Sequence, residues 1–104
     1  MDKFCPLGPA IVTSDEIEDP HNLKLSCTVN GQVRQNSSTS QLLFGVGELV
    51  SWVSKLTTLL PGDLILTGSP PGVGAFMKPP QFLAPGDLVE CWVEGIGTIA
   101  NRVV

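Results

Sequence analysis

At 104 residues, 42% of them hydrophobic and 15% charged, the chain is the size of one domain and carries too much apolar material for a disordered tail. Its net charge is −4, and the six basic residues are scattered from Lys3 to Arg102, which argues against a nucleic-acid partner. No apolar run approaches the roughly 20 residues of a bilayer span, since the stretch 42–60 is broken by Gly45, Gly47, Glu48 and Lys55.

In chain order, residues 10–13 form a short β-type run. The acidic stretch 14–19 then opens like a helix cap and is stopped by Pro20, so one helical turn is all that fits. Residues 23–29 alternate apolar and polar, Asn30-Gly31 supplies the two positive-φ residues of a type I′ turn, and residues 32–35 return, predicting a β-hairpin. A polar stretch, 36–40, leads into Leu42, Leu43, Val46, Leu49, Val50, Val53 and Leu56 at helical spacing, predicting one amphipathic helix that starts as late as Gly47 and reaches about Leu59. Pro61-Gly62-Asp63 is a turn, and the apolar run 64–67 reads as a strand buried on both faces. Residues 68–86 are too rich in proline and glycine for regular structure and read as a long ordered loop. A second Pro85-Gly86-Asp87 turn opens a strand over 88–93, Glu94-Gly95 reverses the chain, and residues 96–104 return. With pairing expected between the first and last hairpins, the fold class is a β-rich α+β domain with one main helix.

Cys5, Cys27 and Cys91 are odd in number and lack C-x-x-C spacing, which argues against a disulfide framework or a zinc site and fits a reducing compartment. Cys27 and Cys91, each inside an alternating run, read as small buried hydrophobes. Residues 1–6 have neither the apolar core of a signal peptide nor the Arg-rich pattern of a transit peptide and so offer no address; with the cysteine usage, the expected location is intracellular, cytoplasmic or mitochondrial. Trp52 and Trp92 read as core or interface anchors. The low charge and positive mean hydropathy predict a partly apolar surface that is covered by a partner subunit or by missing chain.

Thr67-Gly68-Ser69-Pro70-Pro71-Gly72-Val73-Gly74 is the stretch with most chemical content. Its glycines let backbone N–H groups face an anion, and Thr67 and Ser69 add hydroxyl donors, the makings of a carboxylate nest. A glycine-rich turn with a purely structural role is the reading the residues alone favour, and no lysine follows to make a phosphate loop. Asp15, Glu16, Glu18, Asp19 and His21 lack the spacing of a calcium or zinc motif and read as a solvated turn. His21 has no serine or cysteine partner in a recognisable elbow, so nucleophilic catalysis is unsupported.

Five blocks carry a resemblance: Phe4-Cys5-Pro6-Leu7-Gly8-Pro9, Asp19-Pro20-His21-Asn22-Leu23, residues 29–35, residues 61–74 and residues 95–104. In that order they resemble the fumarylacetoacetate hydrolase family, and within it the domain-containing-2 members. The resemblance implies the C-terminal part of a mixed β-sandwich roll, a homodimer, and a Mg²⁺ ion (or Mn²⁺ or Ca²⁺) that binds a small oxo acid during C–C bond hydrolysis or decarboxylation. Carried over, Thr67, Gly68 and Ser69 contact substrate, with Ser69 standing where the family usually has threonine. The family's metal carboxylates, its catalytic His-Glu pair and a lysine lie upstream of Phe4, and neither Asp2 nor Lys3 takes over those roles. The expectation is a single, N-terminally truncated domain over 1–104, without catalytic or metal residues of its own and inactive alone. The alternative is a non-catalytic truncated paralogue or dimerisation module.

Overall fold

The structure, a computed structural model, describes residues 4–104; Asp2 and Lys3 lie outside the described residues. Strand β1 (Lys24–Val29) turns at Asn30-Gly31 into β2 (Gln32–Ser38), and both turn residues have positive φ, 52° and 77°. Asparagine and glycine tolerate that backbone where other residues are strained, and its twist matches the flanking strands. The strand continues through the polar stretch to Ser38. Its register skips Arg34: Cys27 opposes Gln35 while Thr28 opposes Val33, so Arg34 is the extra residue of a β-bulge. Strands β3 (Leu88–Val93) and β4 (Gly97–Arg102) form the second hairpin, and β1 pairs antiparallel with β3, giving the order β2-β1-β3-β4. The predicted pairing of the two hairpins is therefore present.

Asn30 splices those hairpins. Its N–H donates to the Leu88 carbonyl at 2.8 Å, its side-chain amide donates to Asp87 Oδ1 at 2.8 Å, and its Oδ1 accepts the Leu88 N–H at 2.9 Å. Asp87 Oδ2 in turn accepts the Ala84 N–H at 2.9 Å. Charge-assisted bonds of this kind are stronger than neutral ones.

Helix α1 (Val46–Ser54) is shorter at both ends than the apolar periodicity of 42–59. A 3₁₀ turn at Thr39–Gln41 precedes it. Gly45 offers no side chain to cap it, so the first free N–H, that of Val46, donates to His21 Nε2 at 2.9 Å. His21, read from the sequence as part of a solvated turn, thus caps a helix from 25 residues away. At the other end the Lys55 and Leu56 N–H groups reach back to Trp52 and Val53 and tighten the last turn before β-branched Thr57-Thr58 and Pro61.

Two predicted strands do not form. Residues 10–13 are irregular, and residues 64–67 are unpaired. Far from being buried on both faces, Leu64 and Leu66 are 63% and 81% exposed. The apolar run predicts a strand, but it is not among the four paired strands of the sheet. Cys27 is half-buried and Cys91 exposed, Trp52 is 60% exposed, and Trp92 is also exposed, so the expected core positions are not core here.

The reason is that no residue among those described is buried. The accessible surface is 8187 Å², against about 5,600 Å² for a folded monomer of this mass, and the radius of gyration of 15.1 Å exceeds the roughly 13 Å of a chain this long around its own core. Roughly 2,500 Å² of surplus surface, the size of a large obligate interface, is rich in exposed Leu, Phe and Trp.

The splice predicts a pH dependence. The Ala84 N–H first, then the Asn30 amide, hold the Asp87 carboxyl below its ordinary value of 3.8. A depressed folded value gives stability that is present above the unfolded value and lost as pH falls through the folded one. Asp87→Ala is expected to lower Tm at neutral pH, and the wild-type and variant Tm curves, followed by circular dichroism, are expected to converge as pH falls from about 5 to below 3.

Candidate functional site

Loop 68–86 is folded onto β2. Gln35 Nε2 donates to the Pro70 carbonyl at 2.8 Å. The chain then makes a 3₁₀ turn at Gly74–Phe76, and the Gln81 N–H closes back on the Gly74 carbonyl at 2.9 Å. The bulge aims Arg34 across this loop, where its guanidinium donates to Gln81 Oε1 and meets Met77 Sδ at 3.7 Å. Gly72 (φ 109°) lies against the Arg34 carbonyl and Gly74 against the Gln81 carbonyl, closely enough that a Cβ at either would overlap the oxygen. Only glycine allows those approaches.

Among the described residues, two clefts border the folded loop. The larger, about 340 Å³, lies over β1 and the bulge and is lined by Cys27, Val29, Arg34, Gln35, Ser69 and Gln81 among others. The smaller, about 280 Å³, lies between the end of β2 and the start of the loop. Thr67, Gly68 and Ser69 line the smaller cleft together, facing Ser37, Thr39 and the apolar Leu25 and Phe44. Ser69 lines both. We take the smaller cleft as the candidate site despite its size, because it unites all three residues singled out from the sequence and is walled by hydroxyls. Of these, Thr39 Oγ1 already accepts the Leu23 N–H at 2.9 Å, and Ser38 Oγ accepts the Ser40 N–H at 3.2 Å. The loop side, with Thr67 and Ser69 exposed, faces the open space.

Hydroxyl donors suit an anion's oxygens. They do not suit a divalent cation of the Mg²⁺ type, which requires several carboxylate or carbonyl oxygens. Among the described residues no three His, Cys, Asp or Glu side chains are grouped as metal ligands. The donors around this cleft therefore do not fit the ion that the family resemblance implies, and no step here runs through one. The acidic cluster is also without such a role: Asp19 Oδ1 lies 3.6 Å from His21 Nδ1, and the other ring nitrogen is occupied by the helix.

Residues 1–104 match the family profile described as fumarylacetoacetate (FAA) hydrolase C-terminal. The chain belongs to the fumarylacetoacetate hydrolase family. Among its relatives, oxaloacetate tautomerase FAHD2A, mitochondrial, of Bos taurus is 60% identical over the whole chain, which covers 33% of that protein. The fumarylacetoacetate hydrolase domain-containing protein 2 homolog of Dictyostelium discoideum is 47% identical over 112 residues and is covered to 37%. The chain thus spans about a third of the length of the curated relatives it matches. The fumarylacetoacetate hydrolase of Exiguobacterium antarcticum superposes with a TM-score of 0.95 at 46% identity, over 99% of this chain and 37% of that one. Maleylpyruvate hydrolase from Sphingobium sp. SYK-6, solved with manganese(II) and pyruvate, gives 0.89 at 37% identity over 99% and 36%. The β-rich α+β class, as part of the fumarylacetoacetate hydrolase fold, stands.

Sequence reasoning missed Arg34, Gln81 and the neighbourhood of Cys27. A bulge carries no signature when its residue is not glycine, and Gln81 sits in a stretch whose only legible feature was proline.

The close approach at Gly74 yields a test. Gly74→Ala, with ordinary φ but no room for a methyl against the Gln81 carbonyl, is expected to cost about 1–3 kcal/mol. The loop should also open to protease, as urea unfolding and limited proteolysis with mapping of cuts in 68–86 will read.

Proposed function

We propose that this chain is the substrate-carboxylate-holding part of an enzyme acting on small oxo acids, and that its turnover requires polypeptide beyond these 104 residues. The observation that carries the reading is that Thr67, Gly68 and Ser69 line one hydroxyl-walled cleft, in a loop tied to β2 at Pro70. Support comes from a similar structure, 37% identical, solved with pyruvate and manganese(II), and from relatives named for oxaloacetate tautomerisation and maleylpyruvate hydrolysis.

In this reading Thr67 and Ser69 donate hydroxyl hydrogen bonds to the carboxylate of a 2-oxo acid. That fixes the substrate's orientation and leaves its carbonyl and neighbouring carbon to groups on the opposite side. Apolar Leu25 and Phe44 at the same cleft exclude water from part of it and strengthen those bonds. The reaction class is C–C bond hydrolysis, decarboxylation or tautomerisation of the oxo acid. A Mg²⁺ or Mn²⁺ ion in the intact enzyme is held by carboxylates outside this chain. The surplus apolar surface is covered by that further polypeptide and by a second copy in a homodimer. Relatives whose names carry "mitochondrial" support a mitochondrial location. The same exposed surface favours a second reading, a module that associates without catalysing.

Two measurements test the first reading. The isolated chain with Mg²⁺ or Mn²⁺ is expected to leave acylpyruvate hydrolysis and oxaloacetate tautomerisation at background, and metal-dependent turnover by it alone would overturn the need for further polypeptide. Installing the equivalent of Thr67→Val in a full-length relative is expected to lower kcat/KM about tenfold, the loss of one substrate hydrogen bond, with unchanged Tm. An unchanged kcat/KM returns the loop to a structural role.

A further inference from the structure

Strands β1 and β3 form the middle of the sheet, and Cys27 and Cys91 are direct partners in their register. The Asn30 N–H bonds to the Leu88 carbonyl at 2.8 Å, and the Glu94 N–H to the Lys24 carbonyl at 2.9 Å. In an antiparallel pair, hydrogen-bonded partners recur at every second residue. Counting from Lys24 to Asn30, Cys27 has the other parity. Cys27 and Cys91 are therefore a non-hydrogen-bonded pair, the kind whose Cα atoms stand about 4.5 Å apart with side chains drawn close on one face. A disulfide bridges Cα separations of about 4.4–6.8 Å. The sulfurs are already in contact: the Cys91 thiol donates to Cys27 Sγ at 3.6 Å. Rotation about two side-chain bonds is all that closure requires, because the strands already hold both Cβ atoms in place.

We infer that Cys27 and Cys91 form a reversible modification site, a cross-strand dithiol that closes to an intrachain disulfide by exchange with a low-molecular-weight disulfide such as oxidised glutathione. The two sulfurs have different roles. Cys91 is exposed and Cys27 half-buried; burial first, then the contact with the neighbouring Cys91 thiol, pushes the Cys27 thiol up to about 11. Cys91 therefore reacts first, since the thiolate is the nucleophile and access governs its rate. After losing its proton to solvent, Cys91 attacks one sulfur of the glutathione disulfide; that S–S bond breaks and one glutathione leaves as thiolate. Cys27, deprotonated in turn, attacks the Cys91 sulfur of the mixed disulfide and expels the second glutathione thiolate. The pair loses two electrons and two protons, and one glutathione disulfide becomes two thiols. The new bond joins the two hairpins beside the larger cleft, which Cys27 lines. Cys5, also exposed, has no such neighbour in the sheet and serves as an internal reference.

The test incubates the folded 104-residue chain with excess oxidised glutathione, alkylates the remaining thiols, and reads intact mass and peptide map. The expected product has lost two hydrogens, carries a crosslink between the Cys27 and Cys91 peptides, and returns three thiols on dithiothreitol. Cys27→Ser is expected to stop at a glutathione adduct on Cys91, and Cys91→Ser to react at Cys27 about tenfold more slowly than wild type reacts at Cys91. In guanidinium chloride the pairing is expected to spread to Cys5. Separate glutathione adducts on Cys27 and Cys91 in the folded wild type, no reaction at either, or equal pairing in the folded and unfolded chains would each overturn the inference. These wild-type readouts stand even if a serine variant fails to fold.

Discussion

Asn30 is bound on two sides, and the architecture follows from that. Within its own hairpin it takes the positive φ that a two-residue turn needs. Toward the second hairpin its backbone and side chain together meet Leu88 and Asp87. The contact spans 57 residues of chain to Asp87, so a residue chosen locally for its backbone conformation also fixes a non-local register. Once 30 opposes 88, every partner along β1 and β3 is determined, because a slip of one residue would turn each side chain to the other face. The facing of Cys27 and Cys91 is one consequence. The ground on which the glycine-rich loop lies is another.

The two Pro-Gly-Asp-Leu segments show what a turn does by itself. At Pro61-Gly62-Asp63 and Pro85-Gly86-Asp87 the glycine φ values are 98° and 95°. In each, the aspartate accepts the N–H three residues back, at 2.8 Å and 2.9 Å, and returns its own N–H to that residue's carbonyl. The local chemistry is the same, and an apolar run follows both. Only the second becomes a strand, since β1 and β4 flank it, whereas residues 64–67 have no neighbour among the described strands. A strand is a relation between segments, and hydrophobic sequence provides one side of it.

The same distinction governs the candidate site. Loop 68–86 owes its shape to three contacts that span the chain, Gln35 to Pro70, Arg34 to Gln81 and Gly72 to the Arg34 carbonyl, and to one within the loop, Gly74 to the Gln81 carbonyl. The three long-range contacts all involve the bulge and its neighbour on β2. The hydroxyls of Thr67 and Ser69 are thus placed by a strand some 30 residues earlier, and they face a cleft whose other wall is the end of that strand. For the proposed carboxylate contact position matters more than chemical identity, because a hydroxyl aids binding most when its direction is fixed before the ligand arrives.

The sequence by itself determined the features written in near neighbours. These are the Asn30-Gly31 hairpin, the second hairpin after Asp87, a helix in the middle of the chain, the ordered proline-glycine loop, and the ordered blocks that resemble one family. Each rests on backbone preferences or on side chains within a few residues, which a linear reading sees. Only the tertiary structure decided which apolar segments find partners. It left Leu64, Leu66 and Trp52 in solvent, ended the helix at Ser54, gave His21 a helix to cap, shifted Arg34 into a bulge, and set Cys27 against Cys91. All of these depend on pairs far apart in the chain, and burial in particular depends on how much polypeptide is present to cover a surface, a quantity no local pattern encodes.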